Sequence, residues 1–112
     1  MKQQPVTYDT VRGVVLALAK GEEGTSYRTP ALKVNGKLFV RRHQDLDKIV
    51  VKMPFDGREE LMAADAETYF ITDHYRHYPG ILVSLSKVHP DALPELLKTA
   101  YRAASLSKKR RV

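Results

Sequence analysis

Two histidines, two tyrosines and an arginine stand together as His74, Tyr75, Arg76, His77 and Tyr78, between Asp73 and a Pro79-Gly80 step. These residue types suit proton transfer, metal ligation or phosphate binding. Proton transfer needs a base within hydrogen-bond reach of a nucleophile and a third group to orient it. Asp73 can orient an imidazole, and Tyr75 or Tyr78 can supply a hydroxyl. No serine in a strand-to-helix elbow, no cysteine and no glycine-rich phosphate loop accompanies them. No catalytic residue is therefore assigned, and an enzyme is not expected. Asp73, His74 and His77 could ligate a divalent cation, but the pattern has no distant fourth ligand, so neither metal nor cofactor is expected.

The remaining readings divide the cluster. His74 is expected to hydrogen-bond backbone and hold the loop. One tyrosine should pack on a sheet, with Pro79-Gly80 turning the chain into the next strand. Arg76 and His77 are assigned outward, as donors to phosphate oxygens.

A second set of cations supports the phosphate reading. Arg28, Lys37, Arg41 and Arg42 lie in or beside a predicted hairpin, and a β-ribbon can enter the major groove of a duplex. The plainer reading is that charges on a hairpin keep its strands soluble and discourage edge pairing. Lys108, Lys109, Arg110 and Arg111 form a basic C-terminal run; without these four the net charge falls from +6 to +2 (6 − 4), so the body is only mildly basic. That run is either a solvated tail or an arm on the phosphate backbone. With four to six phosphate contacts, log K would fall against log[salt] with a slope of roughly −4 to −5.

These groups must be carried by a small fold. Val11, Val14, Val15 and Leu18 keep one face of a helix from Thr7 to Ala19, with Thr7 as cap and Gly21 as a left-handed stop. Ala31–Val34 and Lys37–Arg42 flank Asn35-Gly36, a pair suited to a two-residue type I′ turn. Strict alternation puts Leu38 and Val40 on one face and Lys37, Phe39 and Arg41 on the other. Lys48–Met53 alternates again, with Ile49, Val51 and Met53 inward. A short helix follows at 58–64, capped by Asp56 and anchored by Leu61, then strands at 69–72 and 81–86. The last helix has Asp91 as cap, Pro94 in its first turn, and Leu93, Leu96, Leu97, Ala100 and Tyr101 as its buried stripe. The predicted order is α-β-β-β-α-β-β-α: an α+β two-layer sandwich on a five-stranded antiparallel sheet.

With 112 residues the chain makes a single domain, placed at 1–107 with the basic tail at 108–112. Without cysteine it has no disulfide, zinc-thiolate or thiol chemistry. The longest uncharged apolar run, Gly13 to Ala19, is far short of the ~20 residues that span a bilayer, so no membrane partner is expected and a cytoplasmic setting is.

"EEGTSYRTPALKVNGKLFVR", "ITDHYRHYPGILVSL" and "ELLKTAYRAA", in this order and spacing, resemble the MmcQ/YjbR family of small bacterial proteins. The resemblance covers nearly the whole chain. It implies a secretion-chaperone-like α+β fold, no established enzyme activity, and DNA binding through paired β-hairpin wings. The chain departs from the family pattern in ending its first helix with Ala19-Lys20-Gly21, in Arg28 where glycine is common, and in Tyr101 where tryptophan is usual. The functional expectation is a DNA-binding protein that grips duplex phosphates by hairpin, loop and tail. The alternative is a protein-interaction or chaperone-like module, which an exposed apolar patch near Phe39 or Tyr69 would favour. Oligomeric state stays open.

Overall fold

The computed structural model of the protein describes residues 6–18, 20–26, 29–43 and 47–106. Arg28 and Lys108–Arg111 lie outside the described residues. Six strands form one antiparallel sheet in the order β1-β2-β3-β4-β6-β5. They are β1 (Gly21–Ser26), β2 (Thr29–Val34), β3 (Lys37–Arg42), β4 (Lys48–Lys52), β5 (Tyr69–Phe70) and β6 (Gly80–Ser84). The helices are α1 (Tyr8–Leu16), α2 (Phe55–Ala64) and α3 (Ala92–Leu106), with a single 3₁₀ turn at Asp73–Tyr75. The α+β antiparallel architecture agrees with the sequence reading. The strand count is six rather than five, and β1 is the addition. "GEEGTS" has no apolar alternation, since an edge strand paired only to β2 buries little side chain.

Alternation along each strand sorts the sheet into two faces. One face meets the helices through cross-strand neighbours Leu32, Val40, Val51 and Ile81, with Ile49, Val83 and Tyr69 in the same layer. Val11 and Val15 of α1 and Leu93, Leu96, Leu97 and Ala100 of α3 close over it, and Leu61 and Met62 of α2 pack at its margin. The opposite face carries the row Ala31, Arg41, Val50, Leu82, Phe70. We call it the outer face.

The predicted alternation in β3 fails at a bulge. Leu38 pairs with Lys33 and Val40 with Leu32, leaving Phe39 as the extra residue. Phe39 and Val40 are both buried toward the helices, and Phe39 meets the Tyr101 ring edge-on at 6.4 Å. Lys37, opposite Val34, and Arg42, opposite Ile49, fall on the helix side. Of the three cations on β3, Lys37, Arg41 and Arg42, Arg41 alone stands on the outer face.

Helix ends also shift. Lys20, not Gly21, takes the left-handed conformation after α1, with φ 62°. Gly21 is required for close approach instead: a Cβ there would overlap the carbonyl oxygen of Val15. α2 begins at Phe55 after Pro54, so Asp56 sits inside its first turn rather than capping it.

Candidate nucleic-acid interface

The segment between β5 and β6 leaves the sheet edge, makes its 3₁₀ turn and comes back under tight backbone control. Tyr75 N–H donates to Thr72 O at 2.9 Å, Tyr78 N–H to Tyr75 O at 3.1 Å, and Met53 N–H to Pro79 O at 2.9 Å. Tyr75 turns inward onto Val50 and Leu82, where it is only 6% exposed, and Phe70 and Ile71 flank it. This loop thus covers the outer face at Val50 and Leu82, which explains why both are buried on the side away from the helices.

A single side chain from α2 holds the loop. Arg58 is 4% exposed, and its Nη1 donates to the carbonyls of Tyr75 (3.0 Å), Tyr78 (2.8 Å) and Gly80 (3.3 Å). Its Nη2 donates to Arg76 O at 3.2 Å. A planar guanidinium can satisfy several carbonyls converging from one turn, which an ammonium cannot do with the same geometry. The Phe55 ring covers the guanidinium at 4.6 Å. This is the role expected of His74. That histidine is exposed and instead lies edge-on against Tyr75, with ring centres 4.9 Å apart. Arg58 has no signal in the sequence, where "DGREE" reads as an exposed helix start.

The loop and the hairpin meet on the outer face. Arg41 Nη2 donates to the Tyr75 hydroxyl at 2.7 Å, joining residues 34 positions apart. Arg76 and His77 are exposed nearby in sequence, but Arg76 is paired with Asp73 at 2.5 Å. That pair is solvent-exposed, so it holds the arginine only weakly. Arg42 turns the other way, toward Tyr8 on α1, and among the described residues its buried Nε has no hydrogen-bond partner. Lys37 lines a cleft with Leu38, Met53 and Ala104 of α3, and Lys52 and Pro79 border the same cleft. Of the residues assigned to phosphate, the structure therefore brings Arg41 together with the loop that carries Arg76 and His77 and turns Arg42 away from it, while Lys37 lies on the helix side of β3 and meets the loop only at Pro79 across the shared cleft.

Further groups beyond the sequence assignment join the outer face. Lys48 and Lys52 alternate with Val50 along β4 and so share its side. Lys48 Nζ lies 5.9 Å from the centre of the Phe70 ring and Lys52 Nζ 5.8 Å from that of Tyr78, within cation–π range. Lys33 stands on the same side of β2, its stem over Gly24 of β1. Among the described residues, carboxylates on or beside this surface include Glu22 opposite Lys33, Asp73, and Asp47, which accepts hydrogen bonds from Ser84 and Ser86. The two β4 lysines do have a sequence signal, because "KIVVK" puts Lys48 and Lys52 opposite Ile49 and Val51.

Enzyme-like or metal-like features can be located as well. Neither the cleft beside Lys37 nor the groove of about 480 Å³ between α2 and α3 is lined by His74. Among the described residues, no three His, Cys, Asp or Glu side chains gather as a metal site would need. No described helix is long and apolar enough to cross a membrane.

The crystal structure of Deinococcus radiodurans protein DR2400, described by its family-model domain DUF419, superposes with a TM-score of 0.80 over 99% of this chain and 87% of that one. At 21% identity this likeness speaks for the fold. No curated protein matches the chain. The YjbR family model matches residues 16–103, from the end of α1 to the last turns of α3, and the chain belongs to that family.

Proposed function

We propose that the protein binds nucleic acid on the outer face of its sheet. Lys33, Lys48, Lys52 and Arg76 contact phosphates, with His77 at the loop and Lys108–Arg111 adding charge from the tail. The observation that carries this reading is the interleaving of cations with rings across one surface: Lys48 with Phe70, Arg41 with Tyr75, Lys52 with Tyr78. Backbone phosphates and the π-faces of bases are the ligand groups that such a surface complements. Arg41, tied to Tyr75, serves as the joint between hairpin and loop rather than as a free grip.

The protein-interaction alternative draws less support. Phe39 and Tyr69, whose exposure would have marked an apolar docking patch, are 1% and 9% exposed. The exposed large apolar residues among those described, Leu16, Phe55 and Tyr78, belong to different elements.

Fluorescence anisotropy with a labelled oligonucleotide at low salt tests the proposal. Binding should weaken as salt rises, with a log–log slope of about −0.7 to −0.9 per phosphate contacted. K48E/K52E should abolish it, while K98E on the exposed side of α3 changes net charge without touching the outer face and should leave most of it. Absence of binding at low salt, or equal losses in the two variants, would overturn the reading.

A further inference from the structure

We infer that the outer face takes a single nucleic-acid strand rather than a duplex. This rests on the nucleic-acid reading above and narrows its substrate. Entering a major groove requires a helix or a free two-stranded ribbon. Among the described helices, α1 and α3 pack on the other layer of the sheet and α2 at its margin, where Arg58 reaches the loop as a buried brace. The β2–β3 hairpin is not a free ribbon either. β2 is paired along its whole length with β1, from Thr29 opposite Ser26 to Val34 opposite Gly21, and Arg41 and Arg42 of β3 are paired with β4. Its free end is the Asn35-Gly36 turn with Lys37, Leu38 and Phe39, the part of β3 that has no partner in β4. Its two arginines point to opposite faces, and Arg41 is held by Tyr75. A wing built this way cannot lay both arginines into one groove.

The same surface has what an unpaired strand uses. Single strands are bound on open sheet faces where rings stack bases and neighbouring cations follow the backbone. Tyr78 is 37% exposed beside Lys52 and lies 5.9 Å from Tyr75, centre to centre. Phe70 is partly open beside Lys48, and the His74 ring is exposed next to Tyr75. Tyr75 itself is buried and acts as the floor. Tyr78, Phe70 and His74 are the stacking groups, and Lys48 and Lys52 bracket Val50 along β4 as the phosphate track.

The experiment compares fluorescein-labelled oligo-dT and oligo-rU of about 16 nucleotides, near the upper site size of a single sheet module, with a duplex of the same length at equal salt. The single strand should bind at least tenfold more tightly than the duplex; either sugar supports the inference, since strandedness is what the geometry specifies. Y78L keeps apolar bulk but removes the ring, and should weaken single-strand binding roughly tenfold by the usual worth of one base–ring stack. Duplex binding equal to or tighter than single-strand binding would overturn this inference and leave the nucleic-acid reading standing. Binding to neither overturns both. A Y78L protein that folds as wild type and binds the single strand equally well also overturns the inference.

Discussion

The guanidinium of Arg41 donates to the hydroxyl of Tyr75 across 2.7 Å, tying β3 to the loop before β6 through a single partly buried contact. Y75F would leave Arg41 without that acceptor while keeping the ring on Val50 and Leu82. A loss of about 1.5–3 kcal/mol is expected, typical of a hydrogen bond to a charged group. Y75A should cost about 3–5 kcal/mol, because it also opens a cavity. Urea denaturation of both variants separates the hydroxyl from the ring. Combining Y75F with R41M should cost less than the sum of the single changes, since the orphaned donor is then gone.

Arg58 predicts a local phenotype. R58K keeps the charge but cannot satisfy the four carbonyls that Arg58 now serves, so the loop should open before the domain does. Amide exchange of Tyr75 to Tyr78 and of Gly80 should speed up well beyond that of β4, with a global loss of about 2 kcal/mol. R58M, which leaves all four carbonyls without this donor, should cost about 3 kcal/mol or more. Uniform acceleration across the whole sheet would argue against a loop-specific lock.

Tyr8 carries an alkaline signature. Its phenol is pushed up to about 12, first by burial and then by Glu23, against the opposing fields of Arg42 and Arg12. A folded-state value above the unfolded one means the native state holds the proton more tightly. The associated stability is complete below pH ~10 and is lost as pH rises from about 10 toward about 12. Tyr69 is raised as well, by burial and then Asp65, and acts in the same direction. Because Tyr8 is only half-buried, its share should stay under about 2 kcal/mol. Y8F should flatten the loss of stability between pH ~10 and ~12 relative to wild type in denaturation midpoints. Near neutral pH it should cost nothing or stabilise slightly, because the Tyr8 hydroxyl is enclosed with no hydrogen-bond partner among the described residues.

Two glycines should respond in opposite directions. Gly13 sits in α1 with open space where an alanine methyl would stand, no atom lying within 4 Å, so G13A should stabilise by up to ~1 kcal/mol through helix propensity. Gly21 has the Val15 carbonyl where its Cβ would be, and G21A should cost about 1–3 kcal/mol. Thermal melts suffice, since 1 kcal/mol moves the midpoint of a domain this size by roughly 4–8 °C.

The elements legible from residues alone are those with a local cause. Asn35-Gly36 imposes its turn through backbone torsion: both residues have positive φ, at 54° and 77°. The β4 alternation of Lys48, Val50 and Lys52 against Ile49 and Val51, and the apolar stripe of α3, follow from strand and helix period. β1 is silent in the sequence because its partner supplies the hydrogen bonds and its own side chains bury little. The β3 bulge is silent too, because an inserted residue changes the face of everything on one side of it, while Lys37 and Phe39 look like ordinary alternating positions.

What the chain by itself determined is composition and period: an α+β class, a hairpin at Asn35-Gly36, and a His-Tyr-Arg turn ahead of β6. Only the tertiary structure decided which charges share a surface. Arg42 went to the helix side and Arg41 to the loop because a one-residue step along a strand reverses the face. Arg58 became the brace of the turn because four carbonyls, separated from it by 17 to 22 positions in the chain, converge where α2 passes beneath them. Such convergence is a property of packing, and no local pattern of residue types encodes it.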